Sequence, residues 1–397
     1  MSSAPESASL STGYQSVLSA ALERTVGPQA AEIDRTGAFP RDSVQTLGET
    51  GLLGLLSAPQ VGGAGEPLAA AAHVVEQLAG RCGSTAMVVL MHYAAVSVIE
   101  AHGPQDVRRL IARGEHVSSL AFSESGSRSH FWAPVSTASA GEDDTVVLDA
   151  RKSWVTSAGQ ADSYVWSSKP LNDGADGKGP MTLWLVPSNA DGLRVAGKFD
   201  GLGLRGNASN PVSATGVVVP AANRLGDDGA GLDVALATAL PHFLVLNAAF
   251  SLGVMEALVA EAAAHLARTR LEHLGQTLAQ QPVSRAAFAR LRMRTDATRA
   301  LLQDTLSALG TGREDAMLRV LEIKAVAADA AAEVADGALR LCGGAAFRKE
   351  LGVERRFRDS LAARVMAPTS DALYDFVGRV CLGLPLFDAA GSEQADA

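Results

Sequence analysis

The stretch TVVLDARKSWVTS, residues 145–157, reads as a β-strand: side chains alternate in character and Val, Trp and Thr are frequent. It has neighbours of the same kind. HVSSLAFSES (116–125), DSYVWSS (162–168), MTLWLVPS (181–188), LRVAGKF (193–199) and SATGVVVP (213–220) are short runs separated by Gly, Asn, Asp and Pro. Several closely spaced strands predict a small barrel or sandwich over residues 116–223. Outward from it the period changes. Residues 1–115 and 224–397 carry apolar side chains at three- and four-residue steps, as in LAAAAHVVEQLAGRC (68–82) and VALATALPHFLVLNAAFSLGVMEALVAEAAAHLART (234–269). The reading is α+β, mainly α: an N-terminal helical domain (1–115), a middle β-barrel (116–223) and a C-terminal four-helix bundle (224–397).

The 397 residues are 47% apolar and 19% charged, the composition of a globular chain with a large core. Thirty-four Lys and Arg stand against 43 Asp and Glu, a net charge of −9, without a basic stripe; nucleic acid is not an expected partner. Cys82, Cys342 and Cys381 are far apart and form no CxxC or Cys/His cluster, so neither a disulfide framework nor a metal site is expected. The first residues lack a signal peptide's basic and apolar regions, and TAMVVLMHYAAVSVI (85–99) falls short of the roughly 20 residues of a membrane span. A cytoplasmic protein is expected.

Two segments offer chemistry. LAFSESGSRSHFWAPVSTA (120–138) ends a strand in a Ser- and Gly-rich loop whose amides and hydroxyls suit a flavin edge or a phosphate; a plain surface loop is the alternative. In 145–157, the period of two puts Trp154 and Thr156 on one face, an indole slab beside a hydroxyl.

The order of these segments, followed by FDGLGLRGNASNPV (199–212), CGGAAF (342–347), VERRFRD (353–359) and APTSD (367–371), resembles the acyl-CoA dehydrogenase superfamily along nearly the whole chain. The resemblance implies FAD as cofactor. It puts Phe122 and Ser123 on the flavin pyrimidine and Ser129 where cofactor and thioester arm meet. Trp154, Thr156 and Ser157 cover the ring and its N5 edge, and Gly343, Gly344 and Thr369 serve FAD across a subunit boundary. A dimer or tetramer and an electron-transfer partner or flavin reductase follow from the same resemblance.

The departures lie where the family's reactions need acid and charge. Counted from Arg358 and Asp359, the glutamate that removes the proton α to the thioester is Ala367, followed by Pro368. The alternative site for that base, at the start of the first bundle helix, holds His242, Phe243 and Leu244. Arg128 and His130 replace a Gly and an Asp, and the arginine expected on the pyrophosphate is Leu271, with Arg270 one residue away.

A methyl cannot accept a proton, so His92 and Asp371 become the candidate acid–base groups. A hydrogen-bonded core histidine and a helix N-terminal aspartate are the respective alternatives. Arg128, Ser129, His130 and Asn247 are candidate substrate contacts; Asn247 could equally pin a bundle contact. The expected function is FAD-dependent oxidation of an acyl thioester, on CoA or a carrier protein, with a non-standard base. The alternatives are a flavin monooxygenase of the same fold, or a non-oxidative eliminase or desulfinase in which Arg81 or Arg128 holds an anion.

Overall fold

The computed structural model describes residues 13–127, 130–171 and 179–387. Six helices come first: α1 (Gly13–Ala21), α2 (Gly27–Thr36), α3 (Arg41–Glu49), α4 (Leu68–Arg81), α5 (Gly83–His102) and α6 (Gln105–Ala112). Every residue of α5 from Gly83 to Val96 is buried, because α5 runs through the middle of the core rather than along its edge. A helix enclosed on all sides has no polar face to set a period. This helix and residues 231–268 have the length and hydropathy of membrane spans, but 83% of each apolar window is buried inside the fold.

Among its described residues the middle part has seven strands: β1 (Ser118–Ala121), β2 (Thr137–Ala140), β3 (Thr145–Val155), β4 (Ser163–Ser168), β5 (Thr182–Pro187), β6 (Leu193–Val195) and β7 (Asn210–Pro220). They form two sheets, β1-β4-β5 and β2-β3-β7-β6, around a shared core of Leu148, Tyr164, Trp166, Trp184, Val212 and Val217. An isolated bridge between Glu124 and Lys152 joins the sheets at one corner and makes the arrangement barrel-like. β4 is buried along its whole length. One face meets the barrel core, through Tyr164 and Trp166, and Val165 faces the helices.

The last part comprises α7 (Gly231–Ala237), α8 (Ala239–Arg268), the two-residue strands β8 (Arg270–Leu271) and β9 (Gln276–Thr277), α9 (Pro282–Thr311), α10 (Ala316–Cys342), α11 (Val353–Ser360), α12 (Ala362–Val365) and α13 (Ser370–Cys381). The long helical pattern from Val234 is interrupted at Thr238, three residues before Pro241, whose ring has no N–H to donate backward. α8 packs against α4 and α5 on one side and α9 and α10 on the other. Arg299 of α9 ties them, reaching Glu76 of α4 and Glu256 of α8, each at 2.8 Å.

Candidate active site

A cavity of about 980 Å³ opens between the β-strands, the start of α8 and the turn from α11 to α13. One wall is the end of β1, Phe122 and Ser123, with Trp154 and Thr156 beyond it. β3 slips register between Lys152 and Val155, and Trp154 takes a positive φ of 57° within that bulge. The alternation therefore breaks here. Val155 turns into the core and Trp154 is left 70% exposed on the cavity wall, so the bulge, not a regular period of two, aims the indole. Ser157, Leu204 and Ala208 also have positive φ, and the segments carrying them are paired: Ser157 N–H donates to Asn207 O (2.9 Å) and Ala158 N–H to Ala208 O (3.1 Å). Non-glycine residues in this region cost energy that the surrounding structure must hold, and such positions gather at functional sites.

Next to this wall lies a buried ion pair whose carboxylate, Glu124, also lines the cavity. The Lys152 amine contacts Glu124 and donates to Ser167 O (2.7 Å) and Ser167 Oγ (2.9 Å). Glu124 also accepts the amides of Val135 (2.5 Å) and Ser136 (3.0 Å) and the Ser136 hydroxyl. Burial opposes the charge on Glu124, yet Lys152 and these donors hold its carboxyl below the usual range, while burial pulls Lys152 down to about 8. The loop carrying Ser123 is thus fastened at both ends.

The opposite wall belongs to the helices. Arg358 lies on the cavity with four of its five N–H groups engaged: it forks onto Asp34 of α2 (2.9 and 2.6 Å), bonds Glu354 (2.8 Å) and donates to Leu202 O (3.0 Å). Asp359 accepts Leu204 N–H at 2.7 Å, and burial pushes its carboxyl up to about 6. Together they bolt the 199–210 loop to α11. A Cβ on Gly203 would sit 2.5 Å from Arg358 O, so only glycine permits that approach. Beside them Met366, Ala367 and Pro368 face the cavity, with Leu240 and Phe243 of α8.

The structure brings Phe122, Ser123, Trp154, Thr156 and position 367 to one cavity and leaves other expected residues outside it. His92 is fully buried, with Nε2 3.1 Å from Leu53 O and Nδ1 accepting Ser118 N–H at 3.2 Å. Burial lowers its pKa to about 4, and it is a core histidine. Asp371 is exposed in the first turn of α13, away from the lining. Asn247 is buried in α8 and donates to Met366 Sδ (3.6 Å), the bundle contact rather than a substrate contact. His130 is exposed, bonded to Ser127 O (2.9 Å), and packs edge-on against Trp132. Arg128 and Ser129 lie outside the described residues. Thr369 Oγ caps α13 by accepting Ala372 N–H (3.3 Å). His242 is bonded to Thr238 O (2.8 Å), and its neighbour Phe243 takes the place on the cavity. Arg270 donates to Gly275 O (3.0 Å) on the surface, and Gly343 and Gly344 are exposed there with open space over both. The sequence reading missed the Asp34–Arg358 fork and Lys324, whose amine holds the carbonyls of Met366 (2.9 Å) and Pro368 (2.7 Å). Two conformational signals, glycines and asparagines in 199–210, pointed to the first; nothing local pointed to the second.

The residues present fit a flavin. An exposed indole flanks the cavity, Ser123 and Thr156 line it, and the buried Ser157 hydroxyl has no partner although its backbone is tied to cavity-lining Asn207. A flat heteroaromatic ring with a hydrogen-bonding edge matches that wall.

Family models describing the N-terminal, middle and C-terminal domains of acyl-CoA dehydrogenase match residues 14–113, 119–217 and 229–382. The chain belongs to the acyl-CoA dehydrogenase superfamily. It is an FAD-dependent oxidoreductase by that membership. The short-chain specific acyl-CoA dehydrogenase of Clostridium acetobutylicum is 26% identical over 354 residues, 88% of this chain and 92% of that one. Butyryl-CoA dehydrogenase from Megasphaera elsdenii superposes with a TM-score of 0.87 at 22% identity, covering 95% of this chain and all of the other. The prolyl acyl carrier protein oxidase AnaB shares the fold with a TM-score of 0.86 at 20% identity, over 95% of this chain and 100% of that structure. Position 367 on the cavity wall is an alanine, whose methyl is neither acid nor base.

Proposed function

We propose that this acyl-CoA dehydrogenase-family protein holds FAD along the wall of Phe122, Ser123, Trp154 and Thr156 and oxidises an acyl thioester, on CoA or a carrier protein, without a proton-accepting side chain at position 367. One observation carries the reading: that wall and Ala367 face a single cavity. Bound FAD supplies the acceptor for two electrons leaving the acyl chain. The protein's own residues bind and orient. Met91, Leu120, Phe131, Leu240 and Phe243 make an apolar end that excludes water from an acyl group. Trp154 offers a face for stacking and Ser123 and Thr156 offer hydroxyls.

Proton removal cannot fall to the wall. Among the described lining residues the carboxylates are Glu124, consumed by Lys152 and Ser136, and Asp200, whose side chain is 83% exposed. The α-proton therefore has no carboxylate acceptor among the described lining residues, and the ordinary dehydrogenation is slow. Gly343, Gly344 and Arg270 are exposed on the surface, and their service to FAD from a second copy makes a homo-oligomer part of the proposal, with a flavoprotein or flavin reductase as electron partner.

Anaerobic titration of the yellow protein with acyl thioesters tests this. Bleaching of the visible flavin band by a thioester is expected. No bleaching, together with fast reoxidation in air after chemical reduction, favours the monooxygenase, a reading for which the methyl at Ala367 is the supporting observation. For an eliminase, Arg81 is exposed and away from the lining, and Arg128 lies outside the described residues.

A further inference from the structure

Lys324 sits in the middle of α10, wholly out of water, and does not line the cavity. Its amine donates to two backbone carbonyls, Met366 O at 2.9 Å and Pro368 O at 2.7 Å, which bracket Ala367. The residues bearing those carbonyls face the cavity, so the lysine grips the wall from behind. A second bundle helix holds the same wall: Asn247 of α8 donates to Met366 Sδ at 3.6 Å, and its own carbonyl oxygen is buried without a partner. No carboxylate bonds the amine. The charge that reaches it belongs to Asp329, which is engaged by Arg364 (2.9 Å) and the Tyr374 hydroxyl (2.5 Å). Burial brings the Lys324 amine down to about 7.

A lysine is a costly way to fill a helix interface, where Leu or Met would pack without desolvating an amine. Its return is directional. Carbonyls have two acceptor sites and strong water affinity; left free at 366 and 368, they would turn toward the cavity or bring water into it. We propose that Lys324 is a positioning residue that draws both carbonyls away from the cavity and so keeps residues 366–368 as an apolar, water-free wall against the acyl group. This rests on the reading that the cavity takes an acyl thioester.

The test compares the holoenzyme with Lys324→Met, which keeps an unbranched side chain one atom shorter and removes the donors. Hydrogen–deuterium exchange over residues 362–373 and the bound flavin's absorbance are recorded without substrate; KM and kcat are measured with octanoyl-CoA. Exchange in 362–373 is expected to rise about tenfold or more, with residues 145–155 unchanged, and the flavin band to shift. KM is expected to rise by about tenfold while kcat changes less, the effect of one or two buried carbonyls losing a donor. Faster exchange with unchanged KM and flavin band would make Lys324 a packing residue and overturn the proposal, as would unchanged exchange. If Lys324→Met does not fold, Lys324→Gln serves, since its shorter arm cannot reach both carbonyls; a loosened segment with wild-type KM and flavin band again refutes it. Should no acyl thioester, on CoA or on a carrier protein, bleach the wild-type flavin, the thioester reading fails, while exchange and flavin absorbance still judge Lys324.

Discussion

Lys152 of β3 and Glu124 at the end of β1 form an ion pair whose side chains are 0% and 2% exposed. It is the corner where the two sheets meet, and its Glu124 lines the cavity beside Ser123. Lys152→Met strands the Glu124 carboxylate in the interior, a loss of about 3–5 kcal/mol for one partner of a buried pair. Urea unfolding should register that loss, and flavin content should fall with it because Ser123 is the adjoining residue. Adding Glu124→Gln to the same chain should recover part of the stability.

Ala367→Glu places a carboxylate on the wall facing Trp154 and Thr156. If the cavity takes a thioester, the rate of anaerobic flavin reduction should rise by about 10²–10⁴, the range of a positioned general base. Stopped-flow absorbance at the flavin band measures it. An unchanged rate would mean that proton removal does not limit the reaction.

Trp154 combines a left-handed backbone with an exposed ring. Trp154→Gly should therefore separate two properties. Thermal stability of the flavin-free protein should hold or rise by about 1 kcal/mol as the strain is relieved, and flavin retention should drop because the slab is gone. Melting curves and the flavin-to-protein absorbance ratio read these separately.

His92→Leu deletes both bonds to Leu53 and Ser118 and should cost about 2–4 kcal/mol through the backbone groups left unpaired. Its rate per bound flavin should be unchanged. The folded-state pKa near 4 lies below the free value of 6.5, so the unfolded chain alone binds the proton between them. The contribution of His92 is complete above about pH 6.5 and shrinks as pH falls toward 4, so the gap between wild type and His92→Leu should narrow over that window. Asp371→Asn should change stability by at most about 0.3–1 kcal/mol, the size of a helix N-terminal charge effect, and leave activity alone.

Lys324 has its own pH signature. Its amine is near 7 when folded and 10.5 when free, so between those values the unfolded chain carries the extra proton and stability rises with pH. The slope from this group is about 1.4 kcal/mol per pH unit. Urea midpoints at pH 7 and pH 9 should increase for the wild type and flatten in Lys324→Met; Lys152, near 8, adds a like-signed rise above that value.

Much of the fold was legible because it rests on local periods. The alternation in 145–157 and the three- and four-residue steps on either side mark strands and helices from neighbours alone, and the order of segments carries the family. The site was legible only in part. Phe122, Ser123, Trp154 and Thr156 do line the cavity, yet Trp154 does so through a bulge that a strict period of two does not contain. His92 reads the same along the chain whether its nitrogens meet a ligand or the backbone of Leu53 and Ser118, residues 39 and 26 positions away.

The sequence by itself determined the helix–strand–helix order, the Gly-rich turns and the methyl at Ala367, since these depend on residue type and near spacing. Only the tertiary structure decided which polar groups are spent on the fold and which face the cavity. Asp34 meets Arg358 across 324 positions, Glu124 meets Lys152 across 28, and Lys324 reaches Met366 across 42. A buried donor takes whichever acceptor the packing brings within about 3 Å, and a one-dimensional pattern does not carry that distance.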